Sequence, residues 1–225
     1  MSLTQTWPKN ELPREKLLQY GASALSDSEL LAIFLRTGTS GKNVMQLSRE
    51  IILQFGSLAA LFAAPKAEFC MIKGLGKAKY AQLQACLEMS LRHAHEQLET
   101  QDAISNPEQV KQFVKARLRN QPNEVFAALF LDNQHQVIAF EELFFGTINA
   151  SSVHPRVVVQ RGLYHNAAAA IVTHNHPSGV AEPSPADIDI THTLKSALSL
   201  LDIRLLDHLV VAGHQVVSLA ERGQI

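Results

Sequence analysis

The sequence predicts an α/β domain over residues 101–225, preceded by a small all-α domain over residues 1–100. Three observations predict it. Beyond about residue 120, short apolar runs alternate with helical stretches, the pattern of a sheet layered with helices. In the first ~100 residues apolar side chains recur instead at helical spacing. Between the two, the stretch HEQLETQDAISNPEQ turns polar and carries Pro107, which marks a linker near residues 97–106.

The N-terminal helices announce themselves through their ends. Ser26 precedes the apolar run Leu30, Leu31, Ile33, Phe34, and Glu29 follows three residues later, which is a capping box. The glycines and hydroxyls of Arg36 to Gly41 make a loop. Val44, Leu47, Ile51, Ile52 and Phe55 share one helical face, and Gly56 stops that helix. Ala81 to Gln97, free of Pro and Gly, is a long helix.

In the second half, VFAALFLD (125–132) and VIAFEELFFG (137–146) are strands around the turn Asn-Gln-His-Gln. Pro155 opens a helix running to about Asn166. The apolar run Ala168 to Thr173 is short enough for a buried strand. A helix from Pro185 to Leu200 follows, and then two strands, IRLLDHLVVA and HQVVSLA.

Composition excludes several classes. Hydrophobic residues make up 46% and charged ones 18%, which fits a globular chain and rules out a disordered one. No apolar run approaches the ~20 residues of a membrane span, and the N-terminus has no apolar signal segment. Two scattered cysteines, Cys70 and Cys86, build neither a disulfide framework nor a Cys-rich zinc site, so a cytoplasmic setting is expected. Net charge is −1, but residues 1–100 hold 11 Lys and Arg against 9 Asp and Glu, which allows a local basic patch.

The stretch THNHPSGVAEPSPAD, residues 173–187, carries the chemistry. Side chains alternate along a strand, so His174 and His176 point the same way at a strand end. Ser184 suits a helix N-cap with Pro185 at the first helical position, and Asp187 then falls in the first turn. Two histidines, one carboxylate and a place for water form the ligand set of a catalytic zinc site. An ordinary reading is open too: Ser184 and Asp187 as a capping pair, and the histidines as polar residues ending a strand.

The spacing His174-x-His176-Pro177, with Ser184 and Asp187 at their intervals, resembles the JAMM motif, H-x-H-P-x6-S-x2-D, of MPN-type metalloproteases. The flanking stretches narrow the likeness. Ser152-Val-His-Pro-Arg156, Thr173-His-Asn-His-Pro-Ser-Gly179 and Leu206-Asp-His-Leu-Val210 resemble the bacterial RadC family (UPF0758). So do ELPREKLL, ALSDSELLAIFLRTGTSGKNV and IKGLGKAK nearer the N-terminus, and the resemblance covers nearly the whole chain.

The resemblance implies an MPN (JAMM, deaminase-like) sheet flanked by helices, and a zinc metalloprotease or isopeptidase acting on a peptide or protein substrate. His174, His176 and Asp187 would ligate the zinc, and Ser184 would steady the oxyanion. A glutamate base is implied upstream, where Glu124 occupies the matching place before the strand at 125. Glu141 and Glu142 are rivals; being adjacent in a strand, at most one faces inward. His154 is a candidate helix-start contact, Asp207-His208 reads as a buried hydrogen-bonded pair, and His93 and His95 sit on a polar helix end without an assigned role.

The segment Phe69 to Lys79 resembles a helix-hairpin-helix, an element that binds the DNA backbone. Gly74 and Gly76 let main-chain amides approach phosphate, and Lys73, Lys77 and Lys79 add non-specific attraction. Tyr80 and Lys77 depart from the usual small residue and proline of that element. Two alternatives to the hydrolase follow. One is a DNA-associated protein whose zinc is structural or vestigial. The other, a zinc nucleobase deaminase, requires P-C-x-x-C, and the second half of the chain contains no cysteine.

Overall fold

The computed structural model describes residues 11–99, 103, 105–146 and 153–225. The N-terminal decapeptide, most of the central part of the expected linker, and Ser152 therefore lie outside the described residues. Two compact units divide between Met89 and Ser90.

The first unit is all-helical. Its helices are α1 (Pro13–Tyr20), α2 (Asp27–Leu35), α3 (Val44–Phe55), α4 (Leu58–Ala63), α5 (Lys66–Met71) and the start of α6 (Lys77–Glu99). The Ser26–Glu29 capping box is formed on both sides, and a second one, Asn43–Gln46, starts α3. Gly56 ends α3 in the left-handed conformation, φ 80°, where a side chain would be strained. The core is Leu31, Leu35, Leu47, Ile51, Leu61, Phe69, Leu75 and Leu83. Gly38 lets the loop close on itself, since a Cβ there would sit 2.2 Å from the carbonyl oxygen of Lys42. The long helix begins at Lys77, four residues before its expected start at Ala81.

The second unit is a sheet with helices on both faces. Its elements are α7 (Pro107–Leu118), β1 (Val125–Leu131), β2 (Val137–Phe145), α8 (Pro155–Tyr164), β3 (Ala169–Asn175), α9 (Pro185–Ser199), β4 (Arg204–Ala212) and β5 (Gln215–Ser218). The strand order is β2-β1-β3-β4-β5. All neighbours are antiparallel except β3 and β4, which run parallel and are joined through α9. Strands β1 and β3 are buried along their whole length, which is why they read as unbroken apolar runs.

Alternation divides their side chains between two layers. Val125, Leu129, Leu131, Ala169 and Ile171 pack with Val110, Phe113, Val114 and Leu118 of α7. Phe126, Ala128, Phe130, Ala170 and Val172 pack with Val158 of α8 and Ile190, Leu194 and Leu198 of α9. Each fully buried Leu or Phe contributes about 1.5–3 kcal/mol. The β3–β4 register shifts after Ala170–Leu205, so that Ile171 pairs with Asp207 and Val172 with His208. The extra residue, Leu206, is a bulge that turns His208 onto the α9 side.

Among the described residues no helix is long and apolar enough to cross a membrane.

Candidate metal centre

Strand β3 continues through His174 to Asn175, and His176 N–H still bonds the Val211 carbonyl oxygen at 2.8 Å. The strand pleat therefore carries both imidazoles to one side beyond the C-terminal end of β3. The intervening segment returns to Ser184, the N-cap of α9, with Pro185 in its first turn. The capping pair is present: Asp187 N–H donates to Ser184 Oγ (3.2 Å), and Ser184 N–H and Oγ–H both donate to Asp187 Oδ2 (2.7 Å each). The cap fixes the Asp187 carboxylate against the histidines, so the ordinary reading of this pair and the ligand reading describe one arrangement.

Among the described residues, His174, His176 and Asp187 form a group whose potential ligand atoms all lie within 4.8 Å of one another. His174 Nε2 and His176 Nε2 are 2.9 Å apart. Asp187 Oδ1 is 3.4 Å from the first, and Oδ2 is 3.6 Å from the second. Tetrahedral zinc, with bonds of about 2.0–2.2 Å, spaces its ligand atoms by about 3.4 Å. His176 Nδ1 donates to the Val180 carbonyl at 2.7 Å, which leaves Nε2 to face the cluster. Two imidazole nitrogens and a carboxylate converging this closely offer a cation three donors at once. The donor set and its spacing fit zinc.

The electrostatics carry the same imprint. The hydrogen bond to Asp187 raises the His176 pKa above its usual value, against the effect of burial; the bond to Val180 and the charge of Glu124 act in the same direction. Burial works to raise the Asp187 carboxyl, but the close approach of His174 and His176 and the hydrogen bond from Ser184 outweigh it and hold the group far below the carboxylate range.

Glu124 lies half-buried immediately before β1, close enough for its charge to act on His176. Of its rivals, Glu141 is bound by Arg161 and His165, the latter at 2.8 Å. That Arg161 pairing, together with His165 and against the effect of burial, lowers the Glu141 pKa. Glu142 is exposed. In the hairpin, Lys73, Gly76 and Lys77 are exposed, Gly74 is half-buried with φ 97°, and Lys79 Nζ donates to the Gly74 carbonyl at 2.7 Å. His154 caps α8 without a side-chain bond and sets its ring edge-on to Phe144. His93 and His95 lie on α6.

Three residues beside the centre were not expected from the sequence: Asn175, Thr191 and His208. Asn175 points to the opposite face from the histidines. Its Oδ1 accepts from Val125 N–H at 2.7 Å, and its Nδ2 donates to the Asn123 carbonyl at 3.1 Å. Asp207 and His208 are hydrogen-bonded, the His208 main-chain N–H donating to Asp207 Oδ1 at 2.7 Å, but their side chains take different further partners. Asp207 accepts from Ser218 Oγ and Ala220 N–H, whereas His208 reaches His174 at 2.8 Å and Thr191 at 2.5 Å. A polar Asp-His pair inside an apolar strand was the available signal; its outcome depended on the bulge at Leu206. Phe126 floors the cluster, stacked on His174 and edge-on to His208.

A family profile described as "RadC-like JAB domain" matches residues 104–224, and one described as "UPF0758 N-terminal" matches residues 4–81. A UPF0758 protein of Nitrosococcus oceani is 58% identical over 223 residues, covering 99% of both chains. Another, from Thioalkalivibrio sulfidiphilus, is 61% identical over 217 residues, covering 96% of this chain and 97% of its own. A third, from Tolumonas auensis, is 59% identical over 217 residues, with 96% and 97% covered. With both of its halves matched and relatives aligned from end to end, the chain belongs to the UPF0758 family and carries a RadC-like JAB domain.

Proposed function

We propose that the chain is a zinc-dependent hydrolase that cleaves peptide or isopeptide bonds, with His174, His176 and Asp187 as metal ligands. The observation that carries this reading is the convergence of His174 Nε2, His176 Nε2 and the Asp187 carboxylate at the end of β3. Zinc held there would supply a Lewis acid and a water with a pKa near ~7.

The remaining steps belong to side chains. The Glu124 carboxylate receives the proton of the attacking water and passes it to the departing amine. Ser184, whose hydroxyl proton rests on Asp187 Oδ2 in the metal-free chain, turns it toward the oxyanion that develops on the scissile carbonyl. Asp187, tied at its main chain and carboxylate to the α9 cap, keeps its place while Ser184 rotates. Cys70 and Cys86 form no disulfide with each other, in keeping with a cytoplasmic protein. The test is a cleavage screen over peptide and isopeptide libraries with and without chelator. Chelator-sensitive cleavage supports the reading, and no cleavage of any library member counts against it.

A second reading, DNA association through the first unit, is favoured by the exposed Lys73 and Lys77 beside Gly76 at the start of α6. It implies weak, sequence-independent binding that falls steeply with salt. Charge reversal at Lys73 and Lys77 should abolish it, and absence of binding at low salt would leave the hairpin a structural connector.

A further inference from the structure

We propose that His208 and Thr191 are positioning residues of the metal centre: together they fix the ring tautomer of His174, so that its Nε2 lone pair faces the cluster. The proposal rests on the metal reading of His174, His176 and Asp187.

Thr191 has a single hydroxyl proton to give. Thr191 Oγ donates to the Asp187 carbonyl oxygen at 2.5 Å, one turn back along α9. A hydroxyl has one hydrogen, so its 2.5 Å contact with His208 Nδ1 requires the proton to come from the imidazole. His208 is fully buried, and its two ring nitrogens meet a hydroxyl and an imidazole and not a carboxylate, a setting in which a charged ring is costly, so the relay is built on the neutral ring. A neutral ring protonated at Nδ1 offers only a lone pair at Nε2. That lone pair faces His174 Nδ1 at 2.8 Å, so His174 Nδ1 must carry a proton and donate it. In the neutral His174 ring, Nε2 is then the nitrogen with the lone pair. It faces His176 Nε2 at 2.9 Å and Asp187 Oδ1 at 3.4 Å, the two other members of the cluster.

The relay is dry and closed. His174, Thr191 and His208 are each at most 1% exposed. Phe126 lies against both rings. Its origin, the Asp187 carbonyl, belongs to the third ligand, so the α9 helix that supplies one ligand also orients another. The bulge at Leu206 is what brings His208 to this face. A carboxylate or carbonyl commonly holds the outer nitrogen of a ligating histidine; here a second imidazole takes that place and must itself be held in one tautomer by Thr191.

Two readouts test the relay without any substrate. The first is the ring nitrogen spectrum of the metal-free chain, which distinguishes the two tautomers of His174. The second is zinc affinity by chelator competition, with the ligand-field spectrum of the cobalt-substituted chain. The variants are His208→Leu and Thr191→Val, which remove the relay, and His208→Gln and Thr191→Ser, which restore an acceptor or hydroxyl at the required positions. Their melting curves establish folding.

The wild type should show His174 protonated at Nδ1. His208→Leu and Thr191→Val should lose that preference and bind zinc about 10–100-fold more weakly, with an altered cobalt spectrum. His208→Gln and Thr191→Ser should recover most of the affinity. If His208→Leu does not fold, Thr191→Val, which keeps the side-chain volume, decides. Wild-type tautomer, affinity and spectrum in the disrupting variants would overturn the relay while leaving the metal centre standing. Equal losses in the disrupting and restoring variants would also overturn it, since burial alone would then explain them. A wild type that binds no zinc would remove the metal reading, and the relay with it.

Discussion

Asn175 Oδ1 accepts the main-chain N–H of Val125 at 2.7 Å, which ties the strand end bearing both histidines to the residue after Glu124. The same side chain donates to the Asn123 carbonyl, so it grips Glu124 from either side along the chain. Asn175→Ala leaves a buried N–H without its acceptor, at a cost of about 1–3 kcal/mol. Zinc should stay bound, because no ligand is touched, while hydrolysis should fall further than the melting temperature alone explains. Full activity in a folded Asn175→Ala chain would show that Glu124 does not depend on this tie.

Glu124→Gln keeps the shape of the side chain and removes its ability to take a proton. The zinc content should be unchanged and hydrolysis should drop by roughly 10²–10⁴-fold. Glu141→Gln is the control: it gives up the pairing with Arg161 and His165, costs about 1 kcal/mol or less as a partly exposed ion pair, and should leave turnover near wild type. The reverse ranking of the two variants would move the base to β2.

Ser184→Ala removes one cap and one oxyanion donor. The first effect is worth about 1 kcal/mol of stability, the second roughly 10²–10³ in kcat. Metal analysis, melting and turnover separate them. A stability loss without a kinetic one would confine Ser184 to its capping role.

The metal-free and zinc-loaded chains should respond differently to pH. The His176 pKa is raised in the fold, above all by Asp187. Its stabilising contribution is therefore complete below the unfolded value of about 6.5 and is lost as pH climbs through the higher folded value. His208, held neutral by burial, acts oppositely, weakening the fold as pH falls below about 6.5. Zinc displaces the His176 proton, so its stabilisation should grow with pH, and the His208 contribution cancels when the two forms are compared. The gap in melting temperature between them should widen from pH 5.5 to 8. A constant or narrowing gap would mean that no proton leaves His176 on binding.

Much of the fold was legible because its signals are local. Ser26–Glu29, Gly56 and Pro185 set helix ends through neighbours within one turn, and the unbroken apolar runs of β1 and β3 follow from burial on both faces. The helix α7 was missed even though Val110, Phe113, Val114 and Leu118 line one face, because the polar stretch before it made Pro107 look like part of a linker. Helices α4 and α5 are six residues each, too short for a period to show. The spacing of His174, His176, Ser184 and Asp187 is local as well, a strand end and a helix start eight residues apart. What surrounds them is not. His208 reaches His174 only through a parallel pairing across α9 and a one-residue bulge, and Asn175 finds its partners 50 and 52 residues upstream.

The central claim is that His174, His176 and Asp187 hold one zinc ion. Metal analysis of the purified chain beside His174→Ala, His176→Ala and Asp187→Ala tests it directly, with melting curves to show that each variant folds. About one zinc per wild-type chain is predicted, lost in each folded variant, because a site with three protein ligands cannot spare one. No zinc in the wild type, or full occupancy in all three variants, would contradict the account.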